Sequence, residues 1–189
     1  MVYENVFKRP CDVLGAALAL LLLSPLLVAA ALAIRLEDGA PVLFRQVRVG
    51  RNGRSFTIFK FRSMPVATPS VPSASATALQ VTRVGAFIRR TNIDELPQLL
   101  NVLRGEMSIV GPRPGLPVQA ELMDMRRMHG IDRLRPGLTG LAQVNSFDGM
   151  KDAQKVQWEA RYAARVSLVV DFMIVVRTFG YLFKRPPVY

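Results

Sequence analysis

The chain has 189 residues, half of them hydrophobic, enough for one domain with a core and a small appendage. Its 25 Lys and Arg outnumber 14 Asp and Glu, and a net charge of +11 implies a polyanionic partner: nucleic acid, anionic lipid or phosphorylated small molecules. A single cysteine, Cys11, and a single histidine, His129, exclude an internal disulfide, a cysteine-cluster zinc site and a histidine-pair metal site.

The first element is an uncharged run of 22 residues from Val13 to Ile34, "VLGAALALLLLSPLLVAAALAI". A helix rises about 1.5 Å per residue, so this run matches an apolar bilayer thickness of about 30 Å. Ser24-Pro25 sits at its midpoint. Pro25 cannot donate to the Leu21 carbonyl, so a kink or break is expected there, with Ser24 satisfying part of the freed backbone. Lys8 and Arg9 precede the run and Arg35, Arg45 and Arg48 follow it, so the positive-inside rule gives no orientation. A re-entrant helix with both ends on one face resolves this; a kinked transmembrane helix is the alternative.

"PVLFRQVRVGRNGRSFTIFKFRSM" reads as a β-hairpin. Val42, Phe44, Phe56 and Ile58 alternate with polar neighbours around the Asn52-Gly53 turn. "PVATPSVPSASATALQ" is a loop, read as either a lid or a passive linker, and "VTRVGAFIRRT" a short helix. From Gly39 to Ile93, 55 residues carry nine basic side chains and no acid; Asp94 and Glu95 then arrive together. Leu96, Leu99, Leu100 and Leu103 space as the buried face of a helix that Asp94 would cap and Gly105 would end, with Pro97 in the opening turn. Gly111-Pro112-Arg113-Pro114 is a stiff loop and Arg135-Pro136-Gly137 a second one, with a polar helix between. Arginines held beside prolines suit anion binding. His129 on that helix reads as a surface residue. Val166 to Phe183 is apolar but interrupted by Asp171 and Arg177, which favours a helix at the interface or packed on the domain over a second span. Tyr181, Phe183, Lys184 and Arg185 suit a headgroup-level anchor. No Walker A, dinucleotide glycine pattern or zinc spacing occurs, and no pattern of stacking aromatics supports nucleic-acid binding.

Taken together, "VFKRPCDVLGA" with Ser24-Pro25, "VLFRQVRVGRNGRSFTIFKFRSM", "DELPQLLNVLRGEMSIVGPRP", "RPGLTGLAQVN" and "SLVVDFMIVVRT" follow one another as in the bacterial sugar transferases. The chain resembles the small form of that family, the monotopic polyprenyl-phosphate phosphoglycosyl transferases. The resemblance implies a mostly helical α+β protein. Residues 1–37 would form a re-entrant membrane helix broken at Ser24 and Pro25, and residues 38–189 a catalytic domain with a small β-hairpin and interfacial amphipathic helices. The protein would sit on the cytoplasmic face of the bacterial inner membrane.

The resemblance further implies transfer of a sugar phosphate from a UDP-sugar to polyprenyl (undecaprenyl) phosphate, with release of UMP, as an initiating step of surface-glycan assembly. Asp94 would be the nucleophile of a covalent phosphosugar intermediate. Glu95 would bind Mg2+ or deprotonate the acceptor, and both acids would be metal ligands. Lys60, Arg62, Arg89, Arg113, Arg135 and Gln143 would contact substrate. A helix N-terminus ringed by arginines would keep Asp94 ionised. The expected partners are the two substrates and membrane lipids, with a homodimer allowed and no nucleic acid. Where relatives carry acids after "KFRSM" and a Gly-Arg-Asn run after "AQVN", this chain has none of those acids and "SFDG". A catalytically silent, membrane-anchored scaffold would keep the charge and the helix but have no need of Asp94.

Overall fold

The computed structural model describes residues 2–66, 81–146 and 150–182. Most of the proline-rich loop read as a lid or linker, most of "SFDG", and the anchor residues Phe183, Lys184 and Arg185 lie outside the described residues.

A π-helical turn, Tyr3–Phe7, leads directly into helix α1, Lys8–Asp38. Together they form a helix long and apolar enough to cross a membrane. The expected division into two helices at Ser24-Pro25 is absent: α1 runs through Pro25. The reason is local. Leu21 loses its partner at Pro25, and Ser24 Oγ donates to that carbonyl at 2.8 Å. Both halves of α1 pack on the rest of the chain. Ala16 sits with Ile58, Leu99, Val102 and Met107, while Ala30 and Ile34 sit with Phe61 and Ile88. Leu14, Leu18, Leu21, Leu22, Leu32 and Leu36 stay exposed.

The hairpin forms as expected. Strands β1 (Leu43–Val49) and β2 (Ser55–Phe61) pair antiparallel in the register Leu43–Phe61 to Val49–Ser55. Asn52 and Gly53 make the turn with φ of 54° and 76°, the left-handed region that these two residues tolerate. Ile58, Phe59 and Phe61 are buried, so β2 is covered on both faces. Helix α2 (Arg83–Arg90) follows, capped by Thr82 Oγ1, which accepts from the Gly85 amide.

The expected single helix from Asp94 to Arg104 has two parts: a 3-10 segment, Ile93–Gln98, and then helix α3, Leu99–Arg104. Pro97 has no amide to give Ile93 and disfavours α geometry at Leu96, so the opening turn tightens. Asn92, at φ 55°, precedes the segment, so Asp94 is not its cap. Gly105 ends α3 in the left-handed conformation, as expected. The buried face also differs: Leu99 and Val102 are interior, whereas Leu100 and Leu103 are exposed. Asn101, fully buried, explains the rotation. Its Nδ2 donates to the Thr57 carbonyl and its Oδ1 accepts from the Phe59 amide, pinning α3 to β2. Asn101→Ala should leave both backbone groups unpaired and lower stability by about 2–3 kcal/mol, measured by denaturant unfolding.

Strands β3 (Ser108–Val110) and β4 (Gly137–Thr139) form a two-stranded parallel sheet, with helix α4 (Ala120–Met128) between them in sequence. Helices α5 (Leu141–Val144), α6 (Asp152–Ala163) and α7 (Leu168–Leu182) complete the body. Arg126 on α4 makes a buried two-pronged ion pair with Glu159 on α6, at 2.7 and 2.5 Å. His129 is exposed, as expected. In α7, Asp171 faces inward and is buried, accepting from Lys8 Nζ (2.6 Å), Tyr3 Oη (2.9 Å) and Tyr162 Oη (2.7 Å). Ile174 joins the core, while Phe172, Val176 and Phe179 are exposed. Thus α7 is both a packed helix and the bearer of an apolar outer face. The architecture is the mostly helical α+β arrangement expected, with two small sheets and one long apolar helix.

Candidate active site

The site forms where the 3-10 segment meets β2 and the loop after β3. Asn92 reverses the chain after α2, and the Glu95 amide donates to the Asn92 carbonyl. Adjacent residues of a 3-10 turn point about 120° apart, so Asp94 and Glu95 face different surroundings. Glu95 turns toward cations: Lys60 Nζ lies 2.7 Å and Arg113 Nη2 2.9 Å from its Oε1. Lys60 comes from β2, on the face opposite Phe59 and Phe61. The loop bearing Arg113 is tied on several sides: Gly111 N to Thr139 O, Gly137 N to Pro112 O and Val49 N to Gly115 O. A Cβ on Gly140 would lie 2.0 Å from the Gly111 carbonyl oxygen, so only glycine allows this close seating. Arg113 also lines a cavity of ≈ 300 Å3 with Asn52, Met123, Asp124 and Asp132.

The electrostatics separate the two acids. Burial alone would raise both. For Glu95, Arg113 and then Lys60 outweigh it by charge and hydrogen bonding, and hold the carboxyl far below its usual range. Asp94 behaves oppositely to expectation. Burial and then the Glu95 charge push it up to about 6, and Lys60, Arg89 and Arg113 only partly oppose this. The cations ring Glu95 more closely than Asp94, which leaves Asp94 the more basic carboxylate. Asp94 accepts no side-chain hydrogen bond among the described residues.

Of the expected substrate contacts, Lys60, Arg89 and Arg113 gather at the acid pair. Three others are occupied elsewhere. Arg62 is buried and ties down the end of α1, through the Asp38 carboxylate at 2.9 Å and the Asp38 and Gly39 carbonyls. Arg135 donates from Nε to the Gly105 carbonyl at 3.0 Å, at the far end of α3. Gln143 donates to the Leu138 carbonyl and packs against Gly140. Sequence reasoning missed Arg48. Its Nη1 reaches the Pro114 carbonyl at 3.2 Å and its Nη2 the Gln46 side chain at 2.6 Å. Burial and then Arg113 lower its guanidinium to about 10, with Glu95 opposing. The only prior signal was its place in the acid-free stretch.

Among the described residues no group of three or more His, Cys, Asp and Glu could hold a metal. The acid pair still fits Mg2+, which takes one or two carboxylates and completes its shell with phosphate oxygens and water. The Asp94 oxygens and Glu95 Oε2 are the donors left for it, since Lys60 and Arg113 share Oε1.

A family model described as bacterial sugar transferase matches residues 3–185. The UDP-glucose:undecaprenyl-phosphate glucose-1-phosphate transferase of Caulobacter vibrioides is 45% identical over 186 residues, covering 94% of this chain and 70% of that protein. The undecaprenyl-phosphate glucose phosphotransferase of Komagataeibacter xylinus is 44% identical, covering 93% of this chain but only 36% of its own length. The exopolysaccharide production protein PSS of Rhizobium leguminosarum bv. phaseoli is 39% identical, over 93% of this chain and 94% of that protein.

Proposed function

The chain belongs to the bacterial sugar transferase family, and from that premise we propose that it moves a sugar 1-phosphate from a UDP-sugar to polyprenyl phosphate and releases UMP. The names of its relatives make UDP-glucose the first donor to test and exopolysaccharide assembly the process it serves. The observation that carries the reading is the divided acid pair: among the described residues Asp94 accepts no side-chain hydrogen bond, while Glu95 is held by Lys60 and Arg113.

An Asp94 oxygen attacks the sugar-bearing phosphorus, and the bond from that phosphorus to the UMP oxygen breaks. An acyl phosphosugar and UMP result. A phosphate oxygen of the polyprenyl acceptor then attacks the same phosphorus, and the Asp94 carboxylate leaves. Lys60, Arg89 and Arg113 balance the diphosphate charge, and Arg48 holds the Arg113 loop through Pro114. Mg2+, when bound by Asp94 and Glu95, supplies charge neutralisation between carboxylate and diphosphate.

The membrane placement proposed is monotopic, at the cytoplasmic face. The packing of both halves of α1 on one body, with its leucines exposed, supports a placement in which both ends lie on one side and the leucines enter the bilayer. α7 adds its apolar outer face to that surface.

UMP release by protein in nanodiscs, with polyprenyl phosphate, Mg2+ and a panel of UDP-sugars, tests the reaction. Silence across the panel in folded, membrane-bound protein overturns it. The pH profile tests the nucleophile. Asp94 attacks only when ionised, so kcat/KM should rise through an acid limb near pH 6. Arg89 lowers the Asp94 pKa, so Arg89→Gln should move that limb to higher pH; an unmoved limb contradicts the assignment.

A further inference from the structure

Arg135 does not reach the acid pair; it meets Arg9 and Arg51. Arg9 donates from Nη1 and Nη2 to the Val102 and Leu103 carbonyls, at 2.6 and 3.1 Å. Arg135 Nε donates to the Gly105 carbonyl at 3.0 Å, and a Cβ on Gly105 would lie 3.4 Å from Arg9 Nη2. The two guanidinium groups therefore converge on the last turn of α3, whose end carbonyls fix them. Arg51, from the hairpin turn, is held by its Nε on the Arg133 carbonyl at 2.7 Å. The Nη groups of Arg51 and Arg135 have no partner among the described residues.

These charges are poorly balanced. Burial, then Arg51, then Arg9 pull the Arg135 guanidinium down, and Asp12 alone opposes them. Asp12 is already committed to Ser108 Oγ at 2.7 Å and the Ile109 amide at 3.0 Å. The neighbouring Arg133 is paired with Glu4. Among the described residues none of the three fixed arginines has a carboxylate of its own, which leaves room for an anion from outside. Their depth indicates its source. Arg9 lies in the first turn of α1, four residues before Val13, where the uncharged run begins. In the monotopic placement α1 lies along the surface, so this end of the helix, with the exposed Val6, Phe7 and Leu14 beside it, sits at headgroup level.

We propose that Arg9, Arg51 and Arg135 form an anion site for a phosphate group at headgroup level, separate from Asp94 and Glu95. A phospholipid headgroup or free phosphate carries the same chemistry, and planar guanidinium forks suit both. The site depends on the membrane placement of α1 and not on the proposed reaction, so UMP release can fail while it stands.

The test is lipid retention by the full chain. Protein is extracted from mixed phosphatidylglycerol and phosphatidylcholine membranes, and bound lipid is counted by native mass spectrometry. Inorganic phosphate is added as competitor in a parallel arm. Preferential retention of phosphatidylglycerol identifies the headgroup. Phosphate binding without lipid discrimination identifies the soluble anion. In either case Arg51→Gln and Arg135→Gln should each weaken binding roughly five-fold, while Arg54→Gln, an exposed hairpin arginine, removes the same charge with little effect. Should Arg135→Gln misfold, the exposed Arg51 carries the test. Equal retention of both lipids with no phosphate binding overturns the proposal, as does equal loss in Arg54→Gln.

Discussion

Asp94→Asn should cut UMP release by on the order of 10^4 while leaving folding and membrane association intact. An amide of nearly the same shape cannot form the acyl phosphate, so the first half-reaction stops. The stability prediction is independent of the chemistry. The folded-state pKa of Asp94 is raised from 3.8 to about 6, so the cost of ionising it in the folded state builds as pH rises from 3.8 to about 6 and is fully present above that. At roughly 1.4 kcal/mol per pH unit, removing the charge should stabilise the protein at pH 7 by on the order of 1–3 kcal/mol. Thermal unfolding and UMP release on one preparation check both. An active variant contradicts the nucleophile, and a clearly less stable one contradicts the electrostatics. Mass spectrometry of wild-type protein with donor alone should show the added sugar phosphate, and the variant should not.

Asp171→Ala should be the most damaging substitution for stability. It removes the shared acceptor of Lys8, Tyr3 and Tyr162, and among the described residues Lys8 is then left with Asp12 at 3.9 Å. Breaking one side of a buried ion pair costs about 3–5 kcal/mol. In a chain of this length that lowers Tm by roughly 6–20 °C. The double variant Lys8→Met/Asp171→Leu should recover much of the loss, because no buried charge is left behind and apolar surface replaces it. A double variant as unstable as Asp171→Ala would show that packing, rather than charge, is lost there.

Local signals reached the structure intact. Asn52-Gly53 gave the hairpin, Gly105 the helix stop, Ser24 the repair at Leu21, and the acid-free stretch the cations around Asp94 and Glu95. Two misreadings were local, the undivided α1 at Pro25 and the 3-10 turn that Pro97 imposes before α3; the others concern long-range delivery of a side chain. Spacing marked Leu100 and Leu103 as buried, but Asn101 locks α3 to β2 and turns those leucines outward. An arginine beside a proline reads alike whether it serves a ligand or a carbonyl; Arg113 goes to Glu95 and Arg135 to Gly105. Asp171 read as a mid-helix interruption, yet its partners come from the first eight residues and from α6. Proximity in space decided those cases, and a linear pattern carries no record of it.

The contact between Lys8 and Asp171 joins residues 163 positions apart. Translation at roughly 5–20 residues per second separates their synthesis by about 8–30 s. For that interval α1 has left the ribosome while the acceptor of its first cation does not yet exist. Arg9 waits likewise for α3, and Asp12 for Ser108. The apolar helix therefore meets the bilayer before the body that grips it is made. Helix α7, made long after α1, then closes the bond that fixes it.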